Sequence, residues 1–129
     1  MKILCEISIG ELVDKISILE IKLDKIQDSK KNKIILNELN NLIQSLNTLK
    51  LDKEFIDTYK KLLKDVNLKL WNVEDELREL EREKKFTQSF IELARSVYIL
   101  NDERFEYKNK LNTELNSKVI EVKSYEKYQ

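Results

Sequence analysis

The chain has no histidine, no proline, one glycine and one cysteine among its 129 residues. Each absence removes a class of chemistry. Without histidine there is no Ser-His-Asp triad, no Cys-His pair and no His-ligated zinc. Cys5 stands alone, so it forms neither an internal disulfide nor a thiolate metal cluster. One glycine cannot build a phosphate-cradling loop of the P-loop or dinucleotide kind. Charge of one sign is also missing: 24 Lys and Arg balance 24 Asp and Glu. The chain therefore exerts no global pull on nucleic acid or an anionic membrane. No stretch approaches the ~18 uncharged apolar residues of a membrane span. The apolar-rich residues 3–9 are interrupted by Glu6 and are too short for a signal-peptide core. The expectation is one soluble domain over residues 1–129, in a reducing cytoplasm. It needs no cofactor or metal and has neither nucleic acid nor membrane as a partner.

What is present is helical in composition and period. Charged residues make up 37% and Leu, Lys and Glu are abundant, which favours helix. Leu12, Ile16, Leu19, Leu23 and Ile26 recur at steps of four and three. Ser8 with Glu11 three residues on is a capping box, so helix 1 starts there. Ile35, Leu39, Leu42, Leu46 and Leu49 form a second stripe. The nine residues from Ile26 to Ile35 amount to ~180° of helix, so the two stripes are out of phase. The polar residues 28–32 between them read as a turn. Asp52 reads as the N-cap of a third helix carrying Phe55, Tyr59, Leu62, Val66, Leu70, Val73, Leu77 and Leu80 to about residue 85. Thr87 can cap a fourth, with Phe90, Leu93, Ala94, Val97, Leu100, Leu111 and Leu115, running to about residue 116.

The fold class expected is all-α. A long antiparallel helical hairpin is covered by two shorter N-terminal helices, with breaks near residues 28–33, 50–53 and 85–88. The Ile- and Val-rich residues 2–7 and 119–123 are strand candidates that could pair as a short two-stranded ribbon of the termini.

Polar residues that interrupt apolar faces are the candidates for a site. Glu20 falls between Ile16 and Val13 on the helical wheel. Asn101, Arg104 and Lys108 lie in one row inside the apolar arc of helix 4. A carboxylate facing an interior needs a cation or several donors. The planar fork of Arg104 is the best partner for Glu20. One reading is a polar layer that fixes helix register. The other is an anion-binding pocket of Glu20, Arg95, Asn101, Arg104 and Lys108. Trp71, beside Asn67, Glu74 and Arg78, either packs on helix 1 or 2, with Arg78 paired to Glu74, or anchors a partner protein through Trp71, Glu74 and Arg78. The carboxylate pairs Glu11 with Asp14 and Glu76 with Glu79 could hold a hard divalent cation through oxygen. A solvated helix face is the simpler account.

The segments ISIGELVDKISILEIK (7–22), WNVEDELR (71–78), FIELARSVYILNDER (90–104) and VKSYEKY (122–128) resemble a family of small uncharacterised bacterial and phage proteins that carries a domain-of-unknown-function label. The resemblance implies that Glu20, Trp71, Glu74, Arg78, Arg95, Asn101, Asp102 and Arg104 lie inside the family's motif segments. It supplies no activity. Some relatives are encoded near glycan-transferring enzymes, an association only.

Two functional classes are therefore carried. The first is a non-enzymatic interaction or accessory protein. It is expected to be a homodimer, because an elongated bundle with narrow stripes completes its core by self-association. The alternative is a small enzyme or binding module for a nucleotide, nucleotide sugar or sugar phosphate, linked to glycan transfer.

Overall fold

The structure is a computed structural model that describes residues 1–124. Four helices follow one another: α1 (Ile9–Lys25), α2 (Ser29–Asn47), α3 (Lys53–Arg82) and α4 (Gln88–Glu114). Their starts are chemically marked. The Ser8 hydroxyl accepts from the Glu11 N–H, Asp28 from Lys30 and Lys31, and Asp52 from Phe55. Each cap satisfies amide groups that have no partner within the helix. Thr87 occupies the N-cap of α4 without a side-chain bond. α2, α3 and α4 are followed by Lys50, Lys84 and Asn116 at positive φ, the left-handed turn that glycine usually supplies, whereas α1 ends at the extended Ile26.

α3 and α4 lie side by side. The ring of Tyr59, early in α3, stands 6.2 Å from that of Tyr107, late in α4, so the two run antiparallel. Residues 83–87 close the hairpin. α1 crosses this hairpin near its open end and is buried on two sides. Leu12, Ile16 and Leu19 meet Ile35 and Leu39 of α2. Val13 meets Ile56 and Leu63 of α3 and Leu111 of α4. α2 packs along α1, and its Leu46 reaches both clusters.

Beyond α1 the hairpin continues as a two-helix arm. None of residues 68–107 is buried, although Leu70, Val73, Leu77, Leu80, Phe90, Leu93, Val97 and Leu100 keep the seam periodic and half-buried.

Two expectations are corrected. The break after α1 is shorter than residues 28–33, because residues 29–32 are the first turn of α2 rather than a loop. No strand forms among the described residues, so the ribbon of the termini is absent. Ile3, Leu4, Ile120 and Val122 are exposed. The side chains of the C-terminal segment bond to α4 instead: Glu121 to Lys108 and Lys123 to Asp102. The last part of the VKSYEKY motif, residues 125–128, lies outside the described residues.

Candidate functional site

The close approach of α1 to α4 builds the most polar part of the interior. It depends on the chain's one glycine. A Cβ on Gly10 would lie 2.4 Å from the carbonyl oxygen of Lys108, closer than real carbons come. The Gly10 N–H donates to Asn112 Oδ1 at 2.7 Å and the Ile9 N–H to Ser117 Oγ at 3.1 Å. The Ser117 hydroxyl in turn donates to the carbonyl of Val119. The first turn of α1 is thus held by α4 and by the segment that follows it.

One turn further on, Asp14 has no exposed surface. It faces Arg104, whose Nε donates to Oδ1 at 3.0 Å while Nη2 donates to Oδ2. Asn67 of α3 adds a bond from Nδ2 to Asp14 Oδ1 at 2.8 Å and another to Ser17 Oγ at 2.9 Å. Ser17 donates to the Asp14 carbonyl. Asp14, Ser17, Asn67 and Arg104 therefore tie α1, α3 and α4 together through one network. The bond to Asp14 raises the Arg104 pKa above its ordinary value, against the opposing effect of burial.

Lys108 lies one turn along α4 and is 6% exposed. Its Nζ meets Glu11 at 2.9 Å and Glu121 at 3.0 Å. Burial alone would lower its pKa. The hydrogen bonds to the two carboxylates outweigh that and leave it raised. Lys123 Nζ meets Asp102 at 2.9 Å and stands 4.9 Å over the ring of Phe105. Asn101 Oδ1 receives a long bond, 3.5 Å, from Arg104 Nη1. A cavity of about 180 Å³ is lined by Asn101, Arg104, Phe105, Lys108, Glu121 and Lys123.

The structure thus brings together three of the five residues expected to bind an anion: Asn101, Arg104 and Lys108. Glu20 is elsewhere. Its carboxylate pairs with Lys60 at 3.0 Å and Lys64 at 3.3 Å, both on α3, while Arg104 is held by Asp14. The reason is geometric: the α1 face that meets α4 is the one carrying Gly10 and Asp14, and Glu20 lies ~9 Å further along the axis toward α3. Arg95 is exposed on the arm, and no ion pair is formed by it among the described residues. Trp71 is partly buried, Glu74 and Arg78 are exposed, and the expected Glu74–Arg78 pair is not formed.

Three of the four carboxylates in these pairs are occupied by cations of the chain. Glu11 and Asp14 hold Lys108 and Arg104, and Glu79 holds Arg82. No cluster of three or more potential metal ligands exists among the described residues.

Sequence reasoning missed Asp14 as the buried acid, and with it Asn67, Ser17, Glu121 and Lys123. One signal was present. Gly10, Asp14, Ser17 and Ile21 recur at steps of four, three and four, a row of mostly short side chains suited to close packing.

Over residues 1–128 the chain matches the model of a family of unknown function, DUF6165, and it belongs to that family. Neither the curated proteins nor the solved structures gave a match. No helix is long and apolar enough to cross a membrane among the described residues.

Proposed function

We propose that this member of a family of unknown function is a non-enzymatic helical interaction or accessory protein. The base, where α1 is clasped by α2, α3 and α4, acts as a rigid mount. The α3–α4 arm is the working surface. One observation carries this reading: the apolar seam continues through residues 68–107, yet none of those residues is buried. An apolar stripe of that length is fully covered only when further helices lie against it. The exposed free thiol of Cys5 fits a reducing, cytoplasmic setting.

The test places charge on the arm. Ile91→Lys and Ile99→Lys are followed by urea unfolding at sub-micromolar concentration, read through Trp71, the single tryptophan. A presenting surface predicts changes within ~0.5 kcal/mol. A loss of ~2–3 kcal/mol would show that this face belongs to the chain's own core, and would overturn the reading.

The cavity beside Arg104 and Lys108 supports a second reading, a module for an anionic ligand such as a nucleotide sugar or sugar phosphate. It is the weaker one because the cations lining that cavity each hold a carboxylate of the chain. A thermal-shift panel of nucleotides, nucleotide sugars and sugar phosphates tests it. A ligand at 100 times its Kd adds ~2.7 kcal/mol, and that gain should disappear in Arg104→Lys.

A further inference from the structure

The chain turns at Asn116, and Ser117 is a fixed point: its N–H donates to the Asn112 carbonyl at 2.8 Å and its hydroxyl accepts from the Ile9 N–H. From there residues 118–124 run back along α4. Glu121 meets Lys108 at 3.0 Å and Lys123 meets Asp102 at 2.9 Å, so the segment forms one wall of the 180 Å³ cavity. Its side chains are sorted against the usual rule. Ile120 and Val122 are 58% and 80% exposed, while Glu121 and Lys123 turn toward the helix. Segments fixed by burial put their apolar side chains inward.

The four carboxylates around the cavity are not attached alike. Asp14 and Glu11 belong to α1 and Asp102 to α4, and they offset Arg104, Lys108 and Lys123. Glu121 is the fourth, one acid beyond that balance, and it sits outside any helix. Its partner Lys108 is nearly buried and has Glu11 on one side and Glu121 on the other. Arg104 keeps donor capacity. Its Nε and Nη2 go to Asp14, and Nη1 makes just the long bond to Asn101. The Arg104 pKa is raised first by its bond to Asp14, against burial, and the charge of Glu121 adds to it. The Glu121 carboxylate therefore acts on both cations.

We propose that Glu121 stands in for the carboxylate of a ligand. Residues 118–124 are a displaceable strap, and a small monocarboxylic acid takes the place of Glu121 against Lys108 and Arg104, with its body on the ring of Phe105. The inference rests on the second reading above, the module for an anionic ligand, and narrows that ligand. Charge sets the number of anionic groups. One carboxylate leaving and one entering keeps the balance, whereas a phosphate dianion or a diphosphate adds negative charge beside Asp14, Glu11 and Asp102. Size sets the rest. Pockets that enclose drug-sized ligands run from about 300 to 1,000 Å³, so 180 Å³ suits a small acid better than a nucleotide sugar. Phe105 supplies an aromatic wall for the body of the acid. Displacement is easy to pay for, because partly exposed ion pairs contribute little and the exposed Ile120 and Val122 leave no core behind when they move.

The test titrates the full, nitrogen-labelled chain with sodium benzoate against sodium chloride at equal ionic strength, followed by NMR. Benzoate should saturably shift the Arg104 Nε–H and the amides of residues 118–124, and the heteronuclear NOE of those amides should fall as the strap leaves α4. Glu121→Gln keeps the shape and removes the internal competitor. The apparent Kd of a closed site is the intrinsic one divided by the open fraction, so benzoate should bind about tenfold more tightly to Glu121→Gln if the strap is closed about 90% of the time. In the Glu121→Gln background, Lys108→Met should abolish binding and Phe105→Ala should weaken it, with the amide spectrum of each variant reporting that the fold is kept. Sodium sulfate, a dianion, should bind less tightly than benzoate. Equal benzoate affinity in the natural chain and Glu121→Gln overturns the proposal. So does tighter binding of sulfate, or the lack of saturable benzoate binding by Glu121→Gln at ~50 mM, well above a millimolar Kd. A sugar phosphate or nucleotide that binds through Arg104 with no response to Glu121→Gln leaves the anionic-ligand reading standing and removes only the strap. Glu121→Gln that binds none of these compounds removes both.

Discussion

Replacing Gly10 by alanine should destabilise this protein strongly, although helix propensity alone argues the opposite. Gly10 lies in the first turn of α1, where alanine would ordinarily gain up to ~1 kcal/mol. The packing reverses the sign. The added Cβ would stand 2.4 Å from the Lys108 carbonyl oxygen and 3.0 Å from Asn112 Oδ1. The nearest atom is helix backbone, which cannot swing aside as a flexible side chain can. Overpacking of this kind costs ~1–3 kcal/mol. Moving α1 outward also stretches the 2.7 Å bond from the Gly10 N–H to Asn112. Asn112 is 1% exposed and its Nδ2 already lacks a partner. Losing that bond adds ~1–3 kcal/mol. The net loss is ~2–4 kcal/mol. At ~4 °C per kcal/mol for a chain of this length, Tm should fall by ~8–15 °C. Thermal unfolding followed by circular dichroism reads this directly, with Lys15→Ala on the exposed face of α1 as the control. An unchanged or higher Tm for Gly10→Ala would refute the close approach of α1 to α4 and the polar network built on it.

The Asp14–Arg104 pair should respond asymmetrically. Arg104→Ala leaves a carboxylate with no exposed surface and should cost ~3–5 kcal/mol, whereas Asp14→Ala leaves a guanidinium that is 27% exposed and can reach water, so urea unfolding should show a smaller loss. Lys108 sets an alkaline limit. Its folded pKa lies above the ordinary 10.5, so its contribution is complete below pH 10.5 and is lost as pH rises through the folded value. Urea midpoints should therefore drop above pH 10.5 by more in the natural chain than in Lys108→Met, and equal drops would refute the assignment. Lys84→Gly should raise stability by ~1 kcal/mol in the same assay, because Lys84 holds φ 56° at the end of α3. A loss would mean that the Lys84 side chain contributes something the backbone strain does not reveal.

The helices were legible because their signals are local. Ser8 and Asp52 are legible as caps from the sequence, and both hydroxyl and carboxylate accept the expected amides. Where the reading erred, local pattern could not decide. Residues 29–32 are polar whether they form a loop or the solvated first turn of a helix, and only the two bonds that Asp28 accepts tell which. The Ile and Val content of the termini suits a strand, but a strand needs a partner edge, and Glu121 and Lys123 commit the C-terminal segment to α4. The polar layer was half legible. Arg104 and Lys108 stand out because they break an apolar arc. Asp14 does not, because it lies off the Leu12–Ile16–Leu19 stripe that faces α2. A helix buried on two sides has two inward faces, and a single stripe locates only one of them.

That two-sided burial of α1 also sets an order of opening. Among the described residues, α2 leans on α1 and reaches the rest of the core only through Leu46. It can peel away while the other three helices keep their packing. α1 has no such freedom, since its departure would strip α2 of its support and leave Asn67, Arg104 and Lys108 facing a gap. Amide exchange should thus grade the molecule: α2 opens as a small unit of its own, and α1 opens only when everything does. The helix that lies innermost in space is the last to let go, so α1, Ile9–Lys25, governs the lifetime of the whole fold.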